Sequence, residues 1–222
     1  MSDSKNGTYT GRLSFPTLTA KAAYELSLKG SYPAADASVA SPSFQLLLTQ
    51  AQLDKFRVQA AEFLAFCVEQ EKAGSKKDSL TAKEAEALLA DITGDLEDQR
   101  YNTPLRAMHE KTAELAPECV AVLKVIGPKG GDVKVKAIVR KEDEIAPTSD
   151  VIFTKPVILD IDETVHDLYP GCMAKATINL YAYHNGKNPG FSAGGSIVVF
   201  SQDADRFGGG VSLDEDEMFL DD

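Results

Sequence analysis

From residue 120 onward the apolar residues recur at every second position, and this period of two constrains the fold more than any other feature of the chain. A strand sends successive side chains to opposite faces, so such runs describe a sheet with one face buried and the other wet. The runs cover 120–126, 133–141, 150–159, 172–183 and 195–201. Between them stand Gly127-Pro128, Pro147, Pro170-Gly171, Asn185-Gly186 and Pro189-Gly190, residues that turn a chain or end a strand. Two more strands are expected upstream, over 8–18, ended by Pro16, and over 43–49.

The middle of the chain has a different period. Leu53, Phe56, Ala60, Phe63, Leu64 and Cys67 share one face of a helix. Thr49 and Gln52 have capping-box spacing, as do Thr81 and Glu84 ahead of a second helix reaching about Ile92. A short third helix is expected over about 104–115, with Pro104 in its first turn. Residues 19–41, rich in Ala, Ser, Gly and Pro, read as a long loop. Strands on both sides of one helical block, without strand–helix alternation, argue against a doubly wound fold. The expected fold class is therefore mainly β with a helical insertion (α+β), an OB-fold-like five-stranded barrel. It spans residues 1–207 with the insertion at about 50–118, and a disordered acidic tail follows over 208–222.

A net charge of −11 argues at first against a nucleic-acid partner. The distribution of charge reverses that. Asp214, Glu215, Asp216, Glu217, Asp221 and Asp222 crowd the last nine residues, and without them the net charge is −5. Glu142 to Glu144 form a second acidic cluster in an expected loop. The strands are locally basic. In 172–183 the even positions from Cys172 to Ala182 are small or apolar, whereas the odd ones include Lys175, Tyr181 and Tyr183. In 133–140 Val133, Val135, Ala137 and Val139 alternate with Lys134, Lys136, Ile138 and Arg140, and the first strand carries Tyr9, Arg12 and Phe15. Outward cations can neutralise phosphates while flat rings stack on unpaired bases, the pattern of a single-strand binder. Arg12, Lys134, Lys136, Arg140 and Lys175 are the candidate phosphate contacts, and Tyr9, Phe15, Tyr101, Tyr181 and Tyr183 the candidate stacking residues. Solvated strand faces of the ordinary kind show the same alternation, so the pattern alone leaves both readings open.

The acidic end adds a second signal. Met218, Phe219 and Leu220 lie inside the acidic run, and a tail that only solubilises gains nothing from three exposed apolar side chains. Such a peptide suits either a basic-rimmed pocket on a partner protein or the chain's own cationic groove, in competition with DNA.

Other chemistries find little support. No run of eighteen apolar residues spans a membrane, and the first residues lack a secretory signal, so a cytoplasmic protein is expected. Cys67, Cys119 and Cys172 are scattered and far from the histidines, which argues for reduced buried thiols and against a disulfide framework or zinc. No cofactor or metal is called for, and the chain does not read as an enzyme. Asp160, Asp162 and Thr164 do resemble the strand-end DxDxT of haloacid-dehalogenase-type phosphatases, but the strand–helix units which that chemistry needs do not follow. The glycine-rich strings 127–131 and 186–190 lack phosphate-loop spacing and read as hairpin turns. A phage structural or assembly protein remains an alternative from another class.

The segments RLSFPTL (12–18) and YPGCMAKATINLYAYHNGKNPGFSAGGSIVVF (169–200), with the Phe-containing acidic end, resemble one group of tailed-phage proteins. These are the phage single-stranded DNA-binding proteins related in fold to the gene 2.5 protein of T7-like phages. The resemblance implies an OB-fold that binds single strands without sequence preference in replication and recombination, in the host cytoplasm. It also implies an acidic C-terminus that contacts replisome proteins (polymerase, helicase or primase) and competes with DNA. Arg12 and Phe15 fall in the first-strand motif, Tyr169 to Cys172 in the turn before the long strand, and Tyr181, Tyr183 and Gly190 in the strand and turn that follow. The chain departs from the family pattern in having Phe15 where a tyrosine is usual, and in the Leu220-Asp221-Asp222 that follows Phe219. Duplex binding and homo-oligomerisation stay open.

Overall fold

The computed structural model describes residues 5–31, 33–140 and 155–207, and the backbone alone of Phe15. Among the described residues nine strands and four α-helices follow in the order β1 (Asn6–Thr17), α1 (Ala20–Ser27), β2 (Ser43–Thr49), α2 (Gln50–Lys72), α3 (Ala82–Thr93), β3 (Leu105–Arg106), α4 (Glu110–Leu115), β4 (Cys119–Ile126), β5 (Lys134–Val139), β6 (Val157–Asp160), β7 (Met173–Asn185), β8 (Asn188–Gly194) and β9 (Ile197–Gln202).

Five of the strands close a barrel. β1 pairs with β2, β2 with β4, β4 with β8, β8 with β7, and β7 returns to β1. All these pairs are antiparallel except β4–β8. Counting barrel strands in chain order, the third meets the fifth and the fourth meets the first, which gives a closed five-stranded barrel of OB type. The helical block α2–α4 lies in the chain between the second and third barrel strands.

Past the barrel mouth the sheet continues. β8 and β9 lie along the same edge of β7, β8 beside residues 179–185 and β9 beside 173–176. β5 then pairs with β9 and β6 with β5, so β7, β9, β5 and β6 form an extension with its own outer face.

The interior follows the period read from sequence. Ala174, Ala176, Ile178 and Leu180 of β7 are buried, as are Leu46 and Leu48 of β2 and Leu123 and Val125 of β4. α2 lays Leu53, Phe56, Ala60, Phe63, Leu64 and Cys67 against β1, β2, β4 and β7. Phe56 meets Tyr9 edge-on at 5.6 Å, and Phe63 meets Phe191 at 6.1 Å. Truncating a core phenylalanine of this kind costs roughly 3–5 kcal/mol.

Local expectations are corrected in five places. Residues 20–27 of the expected loop form α1, capped by the Thr19 hydroxyl, which accepts from the Ala22 N–H at 3.1 Å. Thr49 is the N-cap of α2 but makes no side-chain cap; Gln52 instead accepts from the Thr10 N–H at 3.2 Å, so a tertiary contact displaces the local one. The helix expected over 104–115 is shortened to α4 because Leu105 and Arg106 pair with β4. Pro16 sits inside β1 at a register shift between Ser14 and Thr17, where a missing N–H is tolerated. Pro189-Gly190 does not break the chain: both residues belong to β8. The hairpin turns instead at Gly186-Lys187, with Gly186 at φ +64°.

Candidate nucleic-acid interface

The outer face of the extension, continued onto β1, gathers residues from five strands. Across it, Asp160 of β6 stands opposite Lys136 of β5, Lys136 opposite Val199 of β9, Val199 opposite Lys175 of β7, and Lys175 opposite Thr10 of β1. Lys134 lies two positions along β5, opposite Ile197. Along β7 the outward residues run Lys175, Thr177, Asn179, Tyr181, Tyr183, each two residues from the next. Together these strands frame a groove of about 630 Å³ lined by Lys136, Ile158, Asn179, Tyr181, Ile197 and Val199 among others.

Tyr181 marks one end of it, with Tyr183 next to it along β7. Tyr181 is 36% exposed, and its ring centre is 6.3 Å from that of Tyr183. Burial raises the Tyr181 phenol above its ordinary value, against the opposing effect of a hydrogen bond with Ser192, so Tyr181 is neutral at physiological pH. Tyr183 lies across Gly190, where an added Cβ would meet its Cζ at 2.9 Å. Glycine at that place lets the ring lie down on the sheet.

The cations differ in how they are held. Lys136 donates to the Asp160 carboxylate at 2.6 Å, and Arg140 to the Ser201 carbonyl at 3.0 Å. Lys134 and Lys175 make no salt bridge among the described residues. Lys134, Lys136, Lys175, Tyr181 and Tyr183 are thus brought to one outer surface.

The first-strand candidates are not. Tyr9 is wholly buried; its hydroxyl donates to the Gln59 amide oxygen and its ring packs on Phe56, which leaves no face for a base. Burial also raises its phenol pKa. Arg12 is only 7% exposed and is used up inside the protein. It donates to the Gly171 carbonyl at 2.5 Å, Glu118 at 3.0 Å and the Asp205 carbonyl at 2.6 Å, and it lies 4.7 Å over the Phe207 ring. Phe15 stands in β1, with its side chain outside the described residues. Tyr101 packs partly on the core and lines a separate hollow of about 350 Å³.

Arg12 belongs to a clamp that explains the Tyr169-Pro170-Gly171-Cys172 motif. The Tyr169 hydroxyl meets Asp203, the Ala204 carbonyl and the Ala204 N–H, and Arg206 lies 4.2 Å over its ring. The Phe207 N–H donates to the Pro170 carbonyl at 2.9 Å. Gly171 has φ +105°, and a Cβ there would stand 2.2 Å from the Asp205 carbonyl oxygen, so only glycine fits. The motif ties down residues 203–207.

This strap ends beside a second cleft, of about 740 Å³, over the outer face of β1, β2 and β4. Its lining includes Gln45, Arg106, Lys111, Leu115, Lys124 and Phe207. Of the cations, Lys124 was recoverable from sequence as an outward residue of the 120–126 strand; Arg106 and Lys111 carry no strand period and were not. The acids Asp214, Glu215, Asp216, Glu217, Asp221 and Asp222, with Phe219, lie outside the described residues, as do Glu142 to Glu144.

The DxDxT string is accounted for locally. Asp160 ends β6 and caps a single 3-10 turn (Ile161–Glu163), with Glu163 reaching back to its N–H, while its carboxylate also holds Lys136. Strands β7 to β9 follow it among the described residues.

Strand order and outer surface define the class: an OB-type barrel with a cationic and aromatic exterior groove. Residues 134–221 match the family model described as Enterobacter phage Enc34, ssDNA-binding protein, a span that begins at β5 and runs into the acidic end. The resemblance to phage single-stranded DNA-binding proteins is borne out by that match. Among solved structures, the chain is similar to the single-stranded DNA-binding protein of bacteriophage Enc34, with 13% identity, 94% of this chain and 87% of that one covered, and a TM-score of 0.48. The same protein in complex with ssDNA gives 15% identity, coverage of 92% and 90%, and a TM-score of 0.47. The gp2.5 single-stranded DNA-binding protein of bacteriophage T7 gives 12%, 92% and 91%, and 0.42. No curated protein matches the chain.

Proposed function

We propose that this protein binds single-stranded DNA without sequence preference, along the groove on the outer face of β7, β9, β5 and β6. The observation that carries the reading is that Lys136 and Tyr181 line this groove, with Lys134 and Lys175 in register opposite its Ile197 and Val199 and Tyr183 beside Tyr181. Ammonium groups answer the phosphates, and the rings offer faces that any base can use. The match of residues 134–221 to a family described as ssDNA-binding supports it. Its setting is phage DNA replication and recombination in the host cytoplasm.

The acidic end acts on the same equilibrium. Its six carboxylates are attached at most fifteen residues beyond Phe207, well within reach of the barrel's cations. A tethered segment is present at an effective concentration in the millimolar range, so it competes with DNA. Displaced by DNA, the Met218-Phe219-Leu220 stretch is free to recruit a replication protein.

Fluorescence anisotropy of a labelled oligo-dT tests both parts, using the full chain and a chain ending at Gly210. Binding that weakens with salt and tightens on truncation is the expected result. Equal affinities would remove the competing role, and absence of binding by both chains at micromolar protein and low salt would overturn the DNA-binding reading.

A further inference from the structure

Asn6 and Asn179 stand directly opposite each other across β1 and β7, both exposed and both lining the exterior groove. Asparagine is depleted in strands, and Asn179 lies in the middle of the 13-residue β7. Neither side chain makes a hydrogen bond within the protein among the described residues. The third member of the same cross-strand row is Gly194, which has no side chain to fill the space beside the amides. Tyr181, one step along β7, borders that space: a Cβ on Gly194 would lie 3.4 Å from its ring. Two unengaged carboxamides, a vacant floor and a partly exposed ring form a slot with one flat wall and one hydrogen-bonding edge.

Resting on the single-strand reading above, we infer that Asn6 and Asn179 form a base-edge site that holds one unpaired nucleobase, its ring against Tyr181 and its Watson–Crick edge against the amides. Each carboxamide carries a donor and an acceptor side by side. Every base offers both on its pairing edge, adenine and cytosine in one order, guanine and thymine in the other. Rotating the amide by a half-turn serves either order. The site therefore contacts bases directly while remaining indifferent to which base is present, and this reconciles edge contacts with binding that has no sequence preference. It also discriminates against duplex DNA, whose pairing edges are occupied.

The test compares oligo-dT and oligo-dA with a sugar-phosphate strand of equal length lacking bases, each bound to the wild-type chain and to the Asn6→Ala/Asn179→Ala variant. The expected result is a roughly tenfold loss of affinity for both oligonucleotides, the effect of two ordinary hydrogen bonds, with the abasic strand unchanged. An equal loss on the abasic strand, or no loss on any, overturns the site while leaving single-strand binding intact. Absence of binding by the wild-type chain overturns the single-strand reading itself, and the site with it. Both residues are exposed, so the core is untouched. As a second readout, the side-chain NH₂ resonances of Asn6 and Asn179 should shift on adding oligo-dT and not on adding the abasic strand. Amide signals that ignore both strands would exclude the contact independently of the variant.

Discussion

Tyr9 and Tyr181 stand on paired strands, β1 and β7, and face opposite sides of the barrel wall. The same side chain is a core residue in one place and a candidate platform for a base in the other. Tyr9→Phe should leave DNA affinity unchanged and lower stability by about 0.5–1.5 kcal/mol, the net worth of one buried hydrogen bond, read by urea denaturation. Tyr181→Ala should do the reverse. Loss of one stacked base costs about 1–3 kcal/mol of binding, measured by anisotropy, with an unchanged unfolding midpoint. Arg12 illustrates the limit of reading residues singly. Its alternation places it outward, as it is, yet Phe207, Glu118 and the carbonyls of Gly171 and Asp205 close over it from positions far along the chain.

At the scale of elements, α3 is the best-specified helix. Thr81 and Glu84 form the reciprocal capping box that their spacing announces. Burial alone would raise the Glu84 carboxyl, but the Thr81 N–H and hydroxyl and the His184 ring at 3.2 Å outweigh it and hold the carboxyl below its ordinary value. A depressed carboxylate stabilises the fold fully above the ordinary value of about 4.3, and this stabilisation fades as pH falls through the lower folded value. Glu84→Gln should therefore flatten the acid limb of a plot of Tm against pH while leaving the neutral region less stable. α2 shows the opposite case, because Gln52 turns from the local cap to β1. β8 was hidden by Pro189-Gly190, a pair that breaks chains in general but lies here within a strand whose partners on β7 hold it extended.

At the scale of the molecule, the groove exists only because β5, β6 and β9 extend the sheet beyond the barrel and bring Lys134, Lys136 and Lys175 to one surface. Replacing all three by alanine should reduce the slope of log affinity against log salt by about 2, since each phosphate neutralised on a single strand contributes about 0.7. A slope unchanged from the wild type would place the phosphates on another face. The sequence by itself determined which residues of each strand share a side, because the period of two is built into an extended backbone. It also determined the helical face of α2 and the cap of α3, which depend on neighbours within a turn or two. Only the tertiary structure decided which outward residues stay exposed. Leu47 and Val122 point away from the barrel interior yet are buried, because Ala116, Cys119, Met108 and Phe207 cover them. It likewise decided that β4 meets β8 and that β7 returns to β1. Burial and strand closure are properties of residues brought together across the chain, and no local period carries them.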